Sequence, residues 1–465
     1  MQQTPQAAAL LINHASVVCF DAPGTIINDG AIAITGNSIS WIGESAAAGR
    51  AVAAKDTLDA SGLIATPGLT DAHYHTGQQL LRGKLAAIHR KGPSKNPHWK
   101  NYYVPFESGL TPDDVYYSGI VGYTSMISVG TTSFLEAGGP HPDAMGRAAD
   151  EVGIRGRIAM STLDMDDSLP ASYRQTTDQA LRENEALVGR WRRHPRVNGW
   201  LALRQIIANT ETLRIEMMKL AKSLDTPIHT HHSEGTYEIE FTEETFGARP
   251  PAYFDRIGMM NDHLHVAHSP LLTLDEVNLY ARTGVSVAHC PFGNYGVAPH
   301  RMNDMVRRNI PVALGTDGAG SRCTLDLFEA MHQAVVGQTA VAGTLYHSGI
   351  PIDYDRMLEL AARNGARAMR MPDKLGSLEV GKLADIILVG STDYDQFPVL
   401  DPAITLSQNA VGRDVRTVIV DGRVVMKDRQ FLTVDLEPMK RRIADQYGQI
   451  MERYHTALAR NNTPY

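Results

Sequence analysis

From about Pro67 to Leu375, short runs of β-forming residues alternate with amphipathic stretches of helical period. Such alternation builds a parallel sheet, because each strand needs a crossover helix before the next one. About 300 residues of this pattern predict the α/β class and a (β/α)8 TIM barrel, whose chemistry lies at the carboxyl ends of its strands. A doubly wound open sheet is the alternative architecture, but no glycine-rich phosphate motif follows the first strand. The clearest strands are predicted at Thr226 to His231, Leu264 to His268, Val285 to His289 and Pro311 to Gly315, and the clearest helices at Leu274 to Arg282 and Met302 to Asn309.

Both ends of the chain have a different pattern, with short strands joined by tight turns. Gly36-Asn37 and Asp421-Gly422 are hairpin-turn pairs between alternating apolar residues. We therefore predict a small composite β-sandwich domain from residues 1–66 and 376–435, attached to a barrel of residues 67–375. Residues 436–465 are predicted as a helical tail, since Leu436 to Arg460 is rich in helix-forming residues.

Composition excludes several classes of partner. The 44 Lys and Arg against 51 Asp and Glu give a net charge of −7, without the basic patch of a nucleic-acid-binding protein. No stretch approaches the roughly 20 apolar residues that span a bilayer. The first basic residue is Arg50, too late for a secretory signal, and three cysteines make no disulfide framework. We expect a cytoplasmic protein that acts on a small molecule and has no nucleic-acid or membrane partner.

The histidines are unevenly distributed along the chain. Seven of the 18 lie between residues 229 and 289. Side chains two apart in a strand share a face, so His73 and His75 point together into the barrel, as do His229 and His231. Neutral imidazoles at strand ends are typical metal ligands. Spacing alone leaves open which of His229 and His231 completes a set of three imidazoles.

Other strand ends add His268, His289 and Asp317, and Glu234 follows the fifth predicted strand. A carboxylate after a buried apolar strand is costly unless a charged partner meets it. Three imidazoles and one carboxylate suit one divalent transition metal, Zn²⁺, Co²⁺ or Fe²⁺, with a position left open for water. We predict hydrolysis in which Asp317 binds the metal and accepts a proton, Glu234 protonates the leaving nitrogen, and His268 orients the water. The predicted fourth strand, Gly199 to Arg204, has no lysine to bridge a second metal.

These segments resemble the amidohydrolase superfamily, and within it the branch of aminohydrolases and chlorohydrolases. The resemblance implies that the metal ligands are His73, His75, His231 and Asp317, one ion per subunit, and that His229 lies deeper in the barrel. It further implies substrate contact by His289 and a homodimer or homotetramer. A barrel that has lost catalysis is the third possibility, but every ligand of the pattern is present. The motifs that carry the resemblance are Pro67 to His75, Thr230 to Glu234, His268, His289, Gly315 to Gly318 and Gly376 to Asp385.

Two loops depart from the usual pattern of that branch and bear on the substrate. The loop after the first predicted barrel strand carries Trp99, Tyr102, Tyr103 and Phe106, and the segment after the seventh carries Phe292 and Asn294. Loops at this face of a barrel line the pocket. We expect Trp99, Tyr102, Phe292 and Asn294 to contact substrate, although the loop aromatics could equally pack the loop onto the barrel.

Aromatic rather than hydrogen-bonding loop residues favour an apolar substrate. In this respect the chain is similar to hydrolases that cleave the carbonyl C–N bond of phenylureas or of thiocarbamates such as molinate, with release of an amine. We take that reaction as the first expectation. The alternative is deamination or dechlorination of a heteroaromatic ring, such as guanine, an adenosine-type nucleoside or an s-triazine, because loops rather than the fold decide the substrate.

Overall fold

A computed structural model of the chain describes residues 5–90, 92–321, 324–343, 354–391 and 396–460. Its strands form two parallel sheets that together make a barrel, and one larger sheet built from both ends of the chain. The strands are β1 (Gln6–Val18), β2 (Ile26–Thr35), β3 (Ser38–Glu44), β4 (Val52–Asp59), β5 (Leu63–Pro67), β6 (Leu69–Tyr74), β7 (Thr131–Glu136), β8 (Arg155–Ile158), β9 (Val197–Gly199), β10 (Leu201–Leu203), β11 (Ile228–His232), β12 (Leu264–His268), β13 (Ser286–His289), β14 (Val312–Leu314), β15 (Ile386–Gly390), β16 (Val415–Val420), β17 (Arg423–Lys427) and β18 (Gln430–Phe431).

The barrel consists of the parallel runs β6-β7-β8-β9 and β10-β11-β12-β13-β14. Strands β9 and β10 are one barrel strand interrupted at Trp200, whose backbone N–H donates to the carbonyl oxygen of Ile158 at 3.0 Å. The circle closes where the backbone N–H of Asp317, just after β14, donates to the carbonyl oxygen of His73 at 2.9 Å. The described residues therefore form eight barrel strands, and the predicted (β/α)8 architecture is confirmed.

Helices between the strands cover the barrel, and several begin at capping boxes. Thr273 accepts the backbone N–H of Glu276 while the Glu276 side chain bonds back, which stabilises the start of Leu274–Thr283. The predicted helix from Met302 ends two residues early, at Arg307, because Asn309 adopts the left-handed backbone that terminates helices. The longer helices are Pro112–Ser128, Pro142–Val152, Thr177–Trp191, Glu211–Leu224, Thr236–Phe246, Leu274–Thr283, Leu327–Gln338, Tyr354–Ala361 and Leu436–Arg460, and the shorter ones are Ser45–Ala51, Lys84–His89, Val104–Glu107, Pro250–Arg256, Pro291–Val297, Met302–Arg307, Arg363–Ala368 and Pro402–Ile404.

The terminal sheet has nine strands in the order β18-β17-β16-β15-β5-β1-β2-β3, with β4 also paired to β1. Strand β1 pairs with β4 through Gln6 to Asn13 and then with β5 through Ser16 and Val17. His14 separates these stretches with a left-handed φ of 63°, a bulge that redirects the strand. Both chain ends thus contribute to one mostly antiparallel sheet, as the sequence predicts, while the exact domain borders remain a prediction.

A buried ion network joins this sheet to the barrel. The guanidinium of Arg155, at the amino end of β8, donates to both carboxylate oxygens of Asp385 at 2.8 and 3.0 Å and to Asp421 at 3.0 Å. The predicted terminal helix runs from Leu436 to Arg460, as expected, and packs Tyr454 against the barrel side. Among the described residues, no helix is both long and apolar enough to cross a membrane. Cys19 and Cys290 are buried free thiols, and Cys323 lies outside the described residues.

Candidate metal centre and active site

Five side chains converge at the carboxyl ends of the barrel strands, and we call them the strand-end cluster: His73, His75, His231, His268 and Asp317. Nε2 of His75 lies 3.1 Å from Nε2 of His231. Oδ1 of Asp317 lies 3.4 Å from Nε2 of His73 and 3.6 Å from Nε2 of His75. Potential ligand atoms of His73, His231 and His268 lie within 4.8 Å of one another, as do those of His73, His75 and Asp317. His73 belongs to both groups, so the cluster is continuous.

Neighbouring groups fix the orientation of two of these imidazoles. Nδ1 of His231 lies 2.7 Å from the backbone carbonyl oxygen of Arg204, so Nδ1 donates and Nε2 keeps its lone pair. Nδ1 of His73 lies 2.7 Å from Nε2 of His229, which leaves Nε2 of His73 facing Asp317. Partners of this kind set the tautomer and ring orientation of metal-binding histidines.

His229 lies one layer deeper than the cluster, as the sequence resemblance implies. Its ring stacks on Trp200 with centroids 5.2 Å apart and on His265 at 5.1 Å. Its Nε2 is engaged by His73, and it belongs to neither group of potential ligand atoms. The structure therefore places His231, rather than His229, among the residues that could hold a metal.

Burial sets the protonation states of the cluster. It lowers the pKa of His73 to about 4 and moves the pKa values of His75 and His231 well below the usual range. Burial alone would raise the pKa of Asp317, but the electrostatic interaction with His73, whose Nε2 lies 3.4 Å from Oδ1, outweighs it and lowers that pKa. At neutral pH the imidazoles of His73, His75 and His231 are therefore neutral and the Asp317 carboxylate is charged, which is the state that binds a cation.

These residues fit a divalent transition metal. Nε2 of His73 is buried and has no hydrogen-bond partner in the part of the chain that the structure describes. A buried polar atom without a partner costs about 1–3 kcal/mol, and coordination would offset that cost. Three imidazole nitrogens and one carboxylate oxygen form the mixed donor set that zinc and neighbouring metals accept.

The strand ends that carry the cluster have strained backbones. Ser233, His268 and Asp317 have φ values of 51°, 74° and 64°, a region that residues other than glycine occupy at a cost of about 1–3 kcal/mol. At Gly315, a Cβ would lie 2.9 Å from Cβ of His73, so only glycine lets the end of β14 approach β6 this closely. The strain and the close approach direct the side chains inward, which is typical of functional sites.

The model of the amidohydrolase family matches residues 64–425. The chain belongs to the amidohydrolase family. A 5-methylthioadenosine/S-adenosylhomocysteine deaminase of Syntrophobacter fumaroxidans is 30% identical over 441 residues, covering 94% of this chain and 97% of that protein. A deaminase of the same name from Caldanaerobacter subterraneus is 31% identical over 381 residues, covering 80% of this chain and 84% of that protein.

Solved structures agree with the fold of this amidohydrolase. An adenosine deaminase from Xanthomonas campestris with bound zinc superposes with a TM-score of 0.87 at 27% identity, covering 97% of this chain and all of that one. An atrazine chlorohydrolase from Arthrobacter aurescens, complexed with zinc, superposes at 0.81 and 22% identity over 94% of this chain and all of that one, which shows the fold alone. These relatives favour the ring aminohydrolase alternative and give no support to the phenylurea or thiocarbamate substrates that the sequence placed first.

In this amidohydrolase, Glu234 lies at the same strand end as His231 within a network of hydrogen bonds. Its Oε2 accepts the hydroxyl of Tyr237 at 2.9 Å and lies 3.4 Å from Nε2 of Gln205. Its backbone N–H donates to Oε2 of Glu238 at 2.8 Å. Burial raises the pKa of Glu238 to about 8, so this neighbour is protonated at neutral pH. Glu234 is therefore half-buried, fixed in position, and next to an uncharged carboxyl group.

His268 and His289 are joined through Asn294. Oδ1 of Asn294 lies 3.1 Å from Nδ1 of His268, and Nδ2 of Asn294 lies 2.9 Å from Nδ1 of His289. This arrangement leaves Nε2 of His268 toward the cluster and keeps His289 behind it, fully buried. Substrate contact by Asn294 and His289 remains a prediction. The structure shows only that both support His268.

The loop aromatics separate into two sets. Trp99 and Tyr103 are four residues apart, and they point toward the site: the Trp99 indole bonds Tyr237, and the Tyr103 hydroxyl bonds Ser321, beyond Asp317, at 2.7 Å. The other pair, Tyr102 and Phe106, packs into the apolar core of the barrel with the terminal helix, and Phe106 lies 5.3 Å from Tyr454. Phe292, at 55% exposed, lies on the helix after β13. Of the predicted substrate aromatics, the structure brings Trp99 but not Tyr102 to the site.

Sequence reasoning missed the second layer around Glu234 and a buried ion pair beside it. Arg204 donates to Glu107 at 2.8 Å, and both side chains are 1% exposed. Glu107 also accepts the hydroxyl of Tyr173 at 2.9 Å and the amide of Gln78 at 2.9 Å. Only the position of Arg204 at the end of the fourth barrel strand hints at this pair, because Glu107 lies 97 residues away in the chain, at the end of the helix Val104–Glu107.

Proposed function

We propose that this amidohydrolase is a metal-dependent aminohydrolase that removes the exocyclic amine of a heteroaromatic ring, with adenosine-type nucleosides as its first substrate class. The observation that carries the proposal is the strand-end cluster of four imidazoles and one carboxylate, with Glu234 fixed at the same strand end. The deaminases among its relatives support the choice of substrate. The reaction adds water to an sp² carbon and releases ammonia.

The metal would be held by His73, His75, His231 and Asp317. When bound, a divalent ion lowers the pKa of a water molecule toward about 7 and so supplies a nucleophile at neutral pH. Asp317 accepts a proton from the attacking water, since its carboxylate is charged at neutral pH. Zinc is the first candidate for the metal, and cobalt and iron are the others.

Two further residues handle water and protons. His268, held through Nδ1 by Asn294, directs Nε2 toward the cluster, where it orients the attacking water. Glu234 protonates the ring nitrogen, and its carboxylate then takes up the hydroxyl proton of the tetrahedral intermediate and passes it to the departing amine. A carbon–oxygen bond thus forms, the exocyclic carbon–nitrogen bond breaks, and ammonia leaves with one added proton, while the proton that Asp317 took from water returns to Glu234 for the next turnover.

A substrate panel with the zinc-loaded protein tests this function. We expect ammonia from adenosine-type nucleosides, and we would include guanine, s-triazines, phenylureas and thiocarbamates while measuring ammonia, chloride and organic amine. Glu234→Gln keeps the size of the side chain but removes its titratable proton, so this variant should keep its metal and lose turnover. Amine release from a carbamoyl compound, without ammonia from any ring, would reject the proposal.

A further inference from the structure

The hydroxyl of Tyr237 lies between two groups of different origin. It is 3.2 Å from Nε1 of Trp99, on the loop after the first barrel strand, and 2.9 Å from Oε2 of Glu234. An indole N–H can only donate, and a carboxylate can only accept. The direction of both bonds is therefore fixed: Trp99 donates to the hydroxyl, and the hydroxyl donates to Glu234.

The same carboxylate oxygen has a second neighbour, the side-chain amide of Gln205, while the backbone of Glu234 is held separately. Nε2 of Gln205, a residue 1% exposed, is 3.4 Å from Oε2 of Glu234 and 3.4 Å from Oε2 of Glu238. Glu238 in turn accepts the backbone N–H of Glu234. Both hydrogen bonds that the described residues give to the Glu234 side chain therefore fall on Oε2.

We propose that Tyr237 is a positioning residue that fixes Oε2 of Glu234 and so presents Oε1 as the atom that carries the proton. The proposal rests on the proposed function, because it assigns Glu234 the proton transfer. A carboxylate that rotates freely spends part of its time with neither oxygen aligned, and alignment accounts for much of the rate of an intramolecular proton transfer. Trp99 orients Tyr237, so a chain of hydrogen bonds connects the loop after the first barrel strand with Glu234.

The kinetic test compares three variants, in each of which one aromatic side chain is replaced by phenylalanine. In Tyr237→Phe, which removes only the hydroxyl, we expect kcat to fall roughly 10- to 100-fold and KM to change less than about threefold. The loss should be smaller for a ring substrate with a halide leaving group, since chloride leaves without a proton. Trp99→Phe should show a weaker effect in the same direction. Tyr116→Phe is the matched control, because its hydroxyl bonds the carboxylate of Glu151 at 2.6 Å on the outside of the barrel.

Crystal structures of the zinc-loaded wild type and Tyr237→Phe give a measurement that needs no substrate. We expect the Glu234 carboxylate to rotate or to occupy two positions in the variant. If the wild type deaminates rings, an unmoved Glu234 carboxylate or an unchanged kcat in Tyr237→Phe would overturn the positioning role while the proposed function stands. A wild type that is inert toward every ring amine would overturn the function, and the crystal structures would still decide the placement of Glu234.

Discussion

The Arg155 network at the amino end of the barrel and the strand-end cluster at its carboxyl end both bury ionisable groups, but in opposite ways. At the amino end, Arg155 is almost fully buried, yet it is paired with Asp385 and Asp421 in good geometry. In the strand-end cluster, Nε2 of His73 is buried without a hydrogen-bond partner among the described residues, and Asp317 has a strained backbone. Buried groups whose hydrogen bonds are all made indicate a structural connection, here between the barrel and the terminal sheet. Buried groups that lack hydrogen-bond partners indicate a ligand-binding site.

This contrast separates stability from activity along a single axis of the fold. A paired network is costly to break, because each lost partner leaves a charge buried alone. An unsatisfied cluster already carries strain and desolvation, so removing one of its members relieves part of that cost. Substitutions at the amino end should therefore lower stability, and substitutions at the carboxyl end should lower activity.

The largest effect is expected for Asp317→Ala. Removing this carboxylate deletes a proposed ligand and the proton acceptor together, so kcat/KM should fall by roughly 1000-fold or more. Bound zinc, measured by elemental analysis after dialysis, should fall in parallel. Urea unfolding of the metal-free variant should show a stability equal to or above that of metal-free wild type. If Asp317→Ala were less stable than metal-free wild type while the kcat/KM of the folded fraction stayed normal, Asp317 would serve stability rather than activity.

The opposite outcome is expected for Arg155→Met. The change leaves Asp385 and Asp421 buried without their cation, and breaking such a pair costs about 3–5 kcal/mol. Urea denaturation should show the loss, while kcat per folded molecule stays unchanged. Arg174→Ala is the control, because its partner Asp167 is exposed and such surface pairs contribute at most about 1 kcal/mol. Equal losses of unfolding free energy in the two variants would show that the buried network contributes no more to stability than a surface ion pair.

The sequence predicts the carboxyl end far better than the amino end. Histidines two apart in a strand reveal their common face by spacing alone, and the eight-strand pattern says where that face points. The network of Arg155 has no such local signal, since its partner Asp385 lies 230 residues away in the chain. Local periodicity therefore finds the strand ends that carry the cluster, although it leaves open the choice between His229 and His231, and it cannot find the network of Arg155.

The aromatic loop shows a second limit of sequence reasoning. Residues Trp99–Tyr103 form one wide π-helical turn, and the geometry of that turn decides which rings face the site. Tyr102 and Tyr103 are adjacent and chemically alike, yet one packs in the core and the other reaches Ser321. An irregular segment of this kind has no period from which to predict a face.

The smallest effect tests where the boundary between the two ends lies, at His265. Both of its ring nitrogens are bonded, Nε2 to the carbonyl of Ala72 at 3.0 Å and Nδ1 to Ser286 at 2.8 Å, so it belongs to the satisfied class. Burial lowers its pKa to about 4, whereas an unfolded histidine titrates near 6.5. Between these values the unfolded chain binds more protons, so stability is complete above about pH 6.5 and declines as the pH falls toward 4.

For His265 alone, this linkage is worth about 2 kcal/mol between pH 7 and pH 5. Urea unfolding of metal-free protein at the two pH values should show a shallower decline in His265→Gln than in wild type. Ser286→Ala is the control: it removes a hydrogen bond but keeps the imidazole, so it should lower stability by about 1 kcal/mol at both pH values and leave the decline unchanged. If the stability of His265→Gln declined as steeply as that of wild type, the pH sensitivity would come from the strand-end cluster alone. The region whose buried groups are fully hydrogen-bonded would then not include His265.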